Sequence, residues 1–227
     1  MNVELIACTP GAEEVCAMAA NGCYSPYPAS DIVLNDEQIN KILKRCIKSG
    51  HHSVLEHANY TFSVSNVSRV LTHQLIRHRV ASFSQMSQRY VNMDECGYFT
   101  PQTVIDKAHS TDDYDVKIGK VYSTAMDYAF NTYSQLIESG IPEEDARYVL
   151  PNGCFTNITF TMNARELLHF FELRCCNRAQ TEIREMAWKM LAICKERSPI
   201  IFEKAGPSCI RGKCTEEKPC GHPYKEM

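Results

Sequence analysis

The sequence lacks an uninterrupted apolar run of the roughly 20 residues that a transmembrane helix requires, so we predict no membrane span. Its first residues, MNVELIACTPGAEEV, have no basic segment leading into a long apolar one, which disfavours a secretory signal peptide. Positive charge is not in excess, since the formal net charge is -3, and a general polynucleotide-binding surface is not expected. These absences predict a cytoplasmic protein without membrane or nucleic-acid partners, but they allow a small anionic ligand in a local pocket.

The chain also lacks internal repeats, low-complexity linkers and regular alternation of strands and helices. Apolar spacing predicts helices over 35–50, 66–79, 114–139, 142–151 and 181–206, and a further helix capped by Asn163. Alternating side chains predict strands over 58–65 and 157–163. We therefore predict a single α+β (mixed α/β) domain over 1–206, with a small, mainly antiparallel sheet flanked by long helices, and a loop-rich tail over 207–227.

The twelve cysteines are expected to be mostly free thiols in a reducing compartment. Seven of them lie in or beside apolar segments and are predicted to serve as small buried hydrophobes: Cys8, Cys16, Cys23, Cys46, Cys175, Cys176 and Cys194. The tail instead combines soft metal ligands with glycine and proline, which makes a zinc site possible at Cys209, Cys214, Cys220 and His222. Free thiols or a local disulfide are the competing interpretation, because the spacing does not match paired CxxC motifs.

The segment RHRVASFSQMSQRY, residues 77–90, concentrates cations and hydroxyls in a slightly acidic protein. Arginine suits bidentate contact with phosphate, so Arg77 and Arg79 can hold one anion and Arg89, after the SQMSQ stretch, another. The competing interpretation is a helix end whose positive charge complements the helix dipole. Ser87 lacks a G-x-S-x-G context, and we predict that it donates a hydrogen bond to phosphate rather than acting as a nucleophile.

A second cluster lies in NARELLHFFELRCCNRAQTEIRE, where Arg165 and His169 are four residues apart and share a helix face. Arg174 and Arg178 follow near the end of that helix, beside apolar residues that raise the desolvation cost of an unpaired charge. Surface ion pairs are the alternative, with partners at Glu166, Glu172, Glu182 and Glu185. In GHHSVLEH, three histidines and a glutamate resemble a metal site, although polar contact with a ligand is the favoured interpretation.

These segments together resemble one protein family. RHRVASFSQMSQRY closely resembles the signature of the flavin-dependent thymidylate synthases, in which R-H-R precedes a serine and an arginine. GHHSVLEH is similar to the upstream family segment, and ARYVLP and TMNARELLHFFELRCCNRAQTEIRE are similar to the downstream ones, in the same order and spacing. The resemblance spans residues 50–185 and leaves the Cys/His tail outside.

The resemblance implies an enzyme that transfers methylene from 5,10-methylenetetrahydrofolate to C5 of dUMP. It implies that reduced FAD supplies hydride, that NADPH regenerates the flavin, and that the products are dTMP and tetrahydrofolate. It also implies a homotetramer in which FAD lies between subunits and neighbouring chains share each active site. The flavin-independent thymidylate synthases use a cysteine nucleophile, whereas the matched dUMP segment here contains no cysteine.

The resemblance also implies roles for individual residues. The residues expected at the flavin are Ser53, Glu56, Arg77, His78, Arg79, Val80, Gln85, Asn163, Arg165, His169 and Arg178. Those expected at dUMP are Gln74, Arg77, Gln85, Met86, Ser87, Gln88, Arg89, Arg147 and Arg174. Arg174 is the expected catalytic residue, because a fixed cation beside the uracil would stabilise the anion that develops there. The alternative function is a zinc-stabilised nucleic-acid-binding or regulatory module, which predicts bound metal and salt-dependent binding to polynucleotides.

Overall fold

The computed structural model describes residues 1–224, which contain a four-stranded sheet. Its strands are β1 (Asn2–Cys8), β2 (Asn59–Ser68), β3 (Ala81–Gln85) and β4 (Phe155–Asn163), and their order in the sheet is β1-β2-β4-β3. Thr61 pairs with Thr161 through their hydroxyls at 2.9 Å, and the Asn66 N–H meets the Asn157 side chain at 3.2 Å, so β2 and β4 run antiparallel. Alternate side chains of both strands are buried, as the period of two predicts.

The chain divides into two compact units. The first unit comprises residues 1–2, 64–75 and 84–158, and the second comprises 3–63, 76–83 and 159–224. All four of these strands contribute residues to both units.

The first unit contains α3 (Arg69–Leu75), α4 (Gln102–Ala108), α5 (Asp113–Glu138) and α6 (Glu143–Ala146), followed by a 3-10 turn at Arg147–Val149. Helices α4 and α5 approach so closely that a Cβ added at Gly119 would lie 2.5 Å from the Cβ of Ala108. Buried Met93, Tyr133 and Ala146 form a core cluster, and the Tyr133 hydroxyl accepts a hydrogen bond from the Met93 N–H at 3.2 Å.

The second unit contains α1 (Ala12–Gly22), α2 (Asp36–Lys48), a 3-10 segment at His52–His57, α7 (Ala164–Arg174), α8 (Thr181–Arg197) and α9 (Pro199–Phe202). Its core is rich in aromatic rings, and Phe171 and Phe202 meet edge to face with ring centroids 5.9 Å apart. The buried Tyr60 and Ser198 hydroxyls, 2.6 Å apart, join β2 to the turn between α8 and α9.

The predicted α+β class with a small antiparallel sheet is confirmed, as are the helix after Asn35, the long α5 and the helix capped by Asn163. The prediction of one helix over 181–206 is wrong, because α8 ends at Arg197 and Pro199 begins the separate α9. The helix predicted over 66–79 is shorter, since β2 continues to Ser68. Elements β1, α1, β3 and α4 were not predicted. No helix within residues 1–224 is long and apolar enough to cross a membrane.

All twelve cysteines are free thiols. The predicted burial is confirmed for Cys16, Cys175 and Cys194, whereas Cys8 and Cys23 are exposed. Cys8 is the last residue of β1, an edge strand of the sheet, and Cys23 directly follows α1. Each therefore lies at the end of its element rather than in the buried core.

Candidate active site

Three side chains of the second unit, Glu166, His78 and Arg174, are linked by two consecutive hydrogen bonds. His78, between α3 and β3, is only 4% exposed, and its Nδ1 lies 3.1 Å from Oε1 of Glu166. Its other ring nitrogen, Nε2, lies 3.1 Å from Nε of Arg174. Because a guanidinium nitrogen only donates, His78 Nε2 must accept from Arg174, and the imidazole proton therefore sits on Nδ1 and points at the carboxylate.

The electrostatics of this cluster agree with a neutral imidazole. Burial lowers the pKa of His78 to about 4, and the charge of Arg174 and then that of His169 act in the same direction. Burial also raises the pKa of Glu166. The contact between His78 and Glu166 is therefore a hydrogen bond from a neutral ring to a carboxylate rather than an ion pair.

Helix α7 determines which side chains face this cluster. The Asn163 side chain caps the helix by accepting from the Glu166 N–H at 2.9 Å, as the sequence predicted. The Glu166 carboxylate then turns inward to His78, while the preceding Arg165 reaches Glu56 with a 2.6 Å contact between Nη1 and Oε1. Arg165 and His169, one turn apart, share a face, which confirms the predicted spacing.

A large cavity of about 1270 Å³ opens in the second unit beside α7. Five of the residues that the resemblance assigned to the flavin line it: Glu56, Val80, Asn163, Arg165 and His169. Apolar side chains of Ile47, Leu168 and Ile200 and the ammonium groups of Lys48 and Lys204 complete parts of the wall. This volume exceeds the ~300–1,000 Å³ of most small-ligand pockets, so the cavity can hold a large ligand. Its wall carries charges of both signs, since Glu56, Glu172 and Glu203 line it beside the lysines.

The other residues of the second unit that the resemblance assigned to the flavin do not line this cavity. Ser53 is exposed on the 3-10 segment, and Arg77 and Arg79 are exposed on either side of the buried His78. Arg178 is engaged by the tail, since its Nη1 donates to the Lys218 carbonyl and its Nε lies 3.7 Å from Glu216. The tail therefore adds a contact that the sequence did not predict.

The first unit holds most of the residues assigned to dUMP. Gln85, at the end of β3, donates from Nε2 to the hydroxyls of Thr72 at 3.1 Å and Thr156 at 3.2 Å. Gln88 is 6% exposed and donates to Sγ of Cys154 at 3.1 Å. Both amides thus have partners inside the protein, which holds the intervening segment 86–87 in place.

The end of this segment is more open. The Ser87 hydroxyl accepts the Arg89 backbone N–H at 3.2 Å, so it stabilises the turn that presents Arg89. The Arg89 guanidinium is half-exposed and forms an ion pair with Glu144. Gln74 lies on α3 and donates to the Val70 carbonyl at 3.3 Å.

A smaller cavity of about 270 Å³ lies in the first unit and includes Gln88 and Arg147 in its wall. It also includes Arg69 and His73, which the sequence interpretation missed. Arg69 donates from Nη2 to the Met86 carbonyl at 3.2 Å, while its buried Nε has no hydrogen-bond partner within residues 1–224. Burial lowers the pKa of Arg69. The cavity thus combines two guanidinium groups with the segment assigned to the nucleotide, which suits an anionic ligand.

Potential metal ligands converge at one place in the described part of the chain, where ligand atoms of His78, Glu166 and His169 lie within 4.8 Å of one another. Both ring nitrogens of His78 already have protein partners, and His169 meets the His78 ring at a centroid distance of 5.8 Å. The tail residues Cys209, Cys214, Cys220 and His222 do not form a comparable group within residues 1–224. Zinc binding by the tail stays a prediction.

Comparisons with known proteins show which family the chain resembles. The family model described as "Thymidylate synthase complementing protein" matches residues 4–200. Proteins named flavin-dependent thymidylate synthase from Clostridium tetani and Geobacter sulfurreducens are each 44% identical to this chain, over 95% of it and 91% of their own length. The protein of that name from Saccharolobus solfataricus is 46% identical over 92% of this chain and 78% of its own.

A solved structure also resembles the chain. The UMP/dUMP methylase PolB from Streptomyces cacaoi, bound with 5-Br dUMP, superposes with a TM-score of 0.77 at 26% identity. The match covers 89% of this chain and 93% of that one.

Proposed function

The chain belongs to the thymidylate synthase complementing protein family, and on that premise we propose that it is a flavin-dependent thymidylate synthase that methylates dUMP. The methylene group comes from 5,10-methylenetetrahydrofolate, and NADPH is the final reductant. The products are dTMP, tetrahydrofolate and NADP⁺. The main support beyond family membership is the cavity of about 1270 Å³, where flavin-assigned residues from three separate segments meet.

FAD is the proposed resident cofactor, and when bound it supplies the hydride that reduces the transferred one-carbon group. Lining residues Glu56, Asn163 and Arg165 would give it polar contacts, while Val80 and His169 would border its rings or ribityl chain. The other residues assigned to FAD remain part of the proposal: Ser53, Arg77, His78, Arg79, Gln85 and Arg178.

The nucleotide is proposed to bind through amide and guanidinium groups. Arg89 and the Ser87 turn would hold the phosphate, because a guanidinium fork matches its oxygens. Gln74, Arg77, Gln85, Met86, Gln88 and Arg147 complete the proposed set. Arg69 is a candidate support for it, since it holds the Met86 carbonyl.

Arg174 is the proposed catalytic residue. Its fixed positive charge would stabilise the negative charge that develops on the uracil as C5 attacks the methylene carbon. The neighbouring Cys175 is unsuited to act as a nucleophile, because it is fully buried and burial raises the pKa of its thiol to about 12. This agrees with a reaction that needs no cysteine thiolate.

A homotetramer with shared active sites is also proposed. Helix α5 carries four large apolar side chains at heptad-like spacing that are exposed in the single chain: Tyr114 at 70%, Ile118 at 42%, Val121 at 62% and Tyr128 at 74%. Such a stripe is typical of a surface that another subunit covers. Cytoplasmic location remains part of the same proposal.

Tritium release tests the proposal directly. Purified protein is incubated with 5-tritiated dUMP, methylenetetrahydrofolate and NADPH, with and without added FAD. We expect release of tritium together with formation of dTMP, and both should depend on flavin. Flavin-independent release, or none under anaerobic conditions with reduced flavin, would contradict it.

A further inference from the structure

We infer that Glu166 and His78 are positioning residues that orient the Arg174 guanidinium through two consecutive hydrogen bonds. The inference rests on the proposed function, in which Arg174 meets the pyrimidine. The resemblance placed His78 at the flavin, but its two ring nitrogens are both engaged by protein groups, at 3.1 Å in each case. His78 therefore acts through Arg174 rather than through a direct hydrogen bond to a ligand.

The directions of the two hydrogen bonds follow from Arg174, because its guanidinium group can only donate. The Nε–H of Arg174 always donates, so Nε2 of His78 has to present its lone pair. The proton of a neutral imidazole then lies on Nδ1, where a carboxylate is the strongest available acceptor. Glu166 thus selects the one tautomer of His78 that can hold Arg174.

A protonated His78 would fail in this role. It would have no acceptor at Nε2 and would place a second positive charge 3.1 Å from the Arg174 nitrogen. Burial opposes that state, since the ring is only 4% exposed. The neutral ring therefore fixes the orientation of Arg174 without adding a second positive charge that would compete for the anion stabilised by Arg174.

Helix α7 makes the arrangement rigid. Glu166, Phe170 and Arg174 are spaced by four residues along it and share one face. The His78 ring packs against that face, with its centroid 4.9 Å from that of Phe170 at an interplanar angle of 72°. Holding Arg174 at Nε fixes the plane of its guanidinium, and an arginine side chain loses much rotational freedom when it is held in this way.

Two substitutions at one position test the role of the carboxylate. Glu166→Gln keeps an oxygen that can accept from His78 Nδ1, whereas Glu166→Ala removes it. We expect Glu166→Ala to lower kcat by about 10- to 100-fold, the usual range for residues that orient a functional group, with KM for dUMP changing far less. Glu166→Gln should recover most of kcat. Glu185→Ala, an exposed change on α8, is the matched control and should behave like the wild type.

A second measurement uses the unmodified holoenzyme and does not depend on turnover. Nitrogen-15 NMR of labelled histidine should show His78 as the Nδ1–H tautomer, assigned by its loss in His78→Gln. The opposite tautomer or a protonated ring near neutral pH would overturn the inference, even if Glu166→Ala failed to fold. In Glu166→Ala that folds, the Nδ1–H preference should weaken.

Failure of the inference can be told apart from failure of the proposed function. Arg174→Ala should abolish turnover while flavin absorbance is retained. An inactive wild type would contradict the proposed function itself. A fully active Arg174→Ala would remove Arg174 from its proposed catalytic role, and the positioning role of Glu166 and His78 with it, while leaving the proposed function intact. An active wild type and an inactive Arg174→Ala, together with wild-type kcat in Glu166→Ala, would overturn the positioning role alone.

Discussion

Arg89 and Glu144 form a closed ion pair in the first unit: Nε and Nη2 of the guanidinium lie 2.9 Å and 2.8 Å from the same carboxylate oxygen, Oε2. Both side chains are half-exposed, at 49% each, so the pair is accessible to solvent and screened by it. Arg89 is also the group proposed to hold the nucleotide phosphate. An incoming phosphate must therefore compete with Glu144 for the same nitrogens.

This competition predicts opposite effects of two substitutions on dUMP affinity. Glu144→Gln should tighten dUMP binding by about two- to fivefold, because it removes an anion that competes for Arg89. Arg89→Ala should weaken binding by at least about tenfold, because a charge-assisted contact is lost. Isothermal titration calorimetry of the flavin-bound protein measures both changes. The neighbouring Asp145→Asn removes a charge from the same helix without touching Arg89, and equal tightening in that control would point to a general field effect instead.

Ser87 is predicted to support binding without forming a covalent bond. Its hydroxyl accepts the Arg89 N–H at 3.2 Å, so Ser87→Ala should loosen the turn and raise KM for dUMP while turnover remains measurable. Ser84→Ala, in the exposed part of the same segment, serves as control. Complete loss of turnover with unchanged dUMP affinity, or a covalent nucleotide adduct at Ser87 detected by mass spectrometry, would identify Ser87 as a nucleophile.

Local sequence patterns were sufficient to predict the strands and helices in which buried side chains recur at a regular spacing. Tyr60, Phe62 and Val64 alternate along β2 and are fully buried, and Asn35 with Gln38 forms a complete capping box at α2. The break after Arg197 could not be located by apolar spacing alone, because Ile200 and Ile201 continue the apolar pattern into α9. Their N–H groups bind Glu13, a residue distant in sequence, at 2.7 Å and 3.0 Å.

The site shows the same division between local and long-range information. The family-like segments contain five of the residues that line the cavity of the second unit, but they do not give the partners that position these residues. The sequence suggested Glu166 as an ion-pair partner of the nearby arginines, whereas its actual partner His78 lies 88 positions away. Arg69 was missed for a similar reason, since its contact with Met86 appears only once the chain folds.

The tail should be observable through the single tryptophan of the chain. The Trp188 ring lies 4.9 Å from that of Tyr224, whose hydroxyl donates to Oδ1 of Asn177 at 2.7 Å. Tyr224→Ala should expose the indole, shift its emission to longer wavelength and increase quenching by acrylamide, at matched flavin occupancy. Tyr224→Phe keeps the ring contact and should shift the emission much less. Identical spectra for wild type and Tyr224→Ala would show that the tail does not cover Trp188 in solution.

Burial of neutral His78 predicts a specific loss of stability in acid. Its pKa is lowered to about 4 from an ordinary value of 6.5, so between these pH values the unfolded chain binds a proton that the folded chain does not. Stability therefore falls as the pH decreases through this window, by at most about 3 kcal/mol from this group. Glu166 acts in the opposite direction, because its raised pKa favours proton uptake by the folded chain. Urea unfolding at several pH values measures the free energy of unfolding. Its decrease toward acid pH should be shallower for His78→Gln than for wild type or for the exposed control His109→Gln. Parallel decreases in all three proteins would mean that His78 is charged in the folded protein.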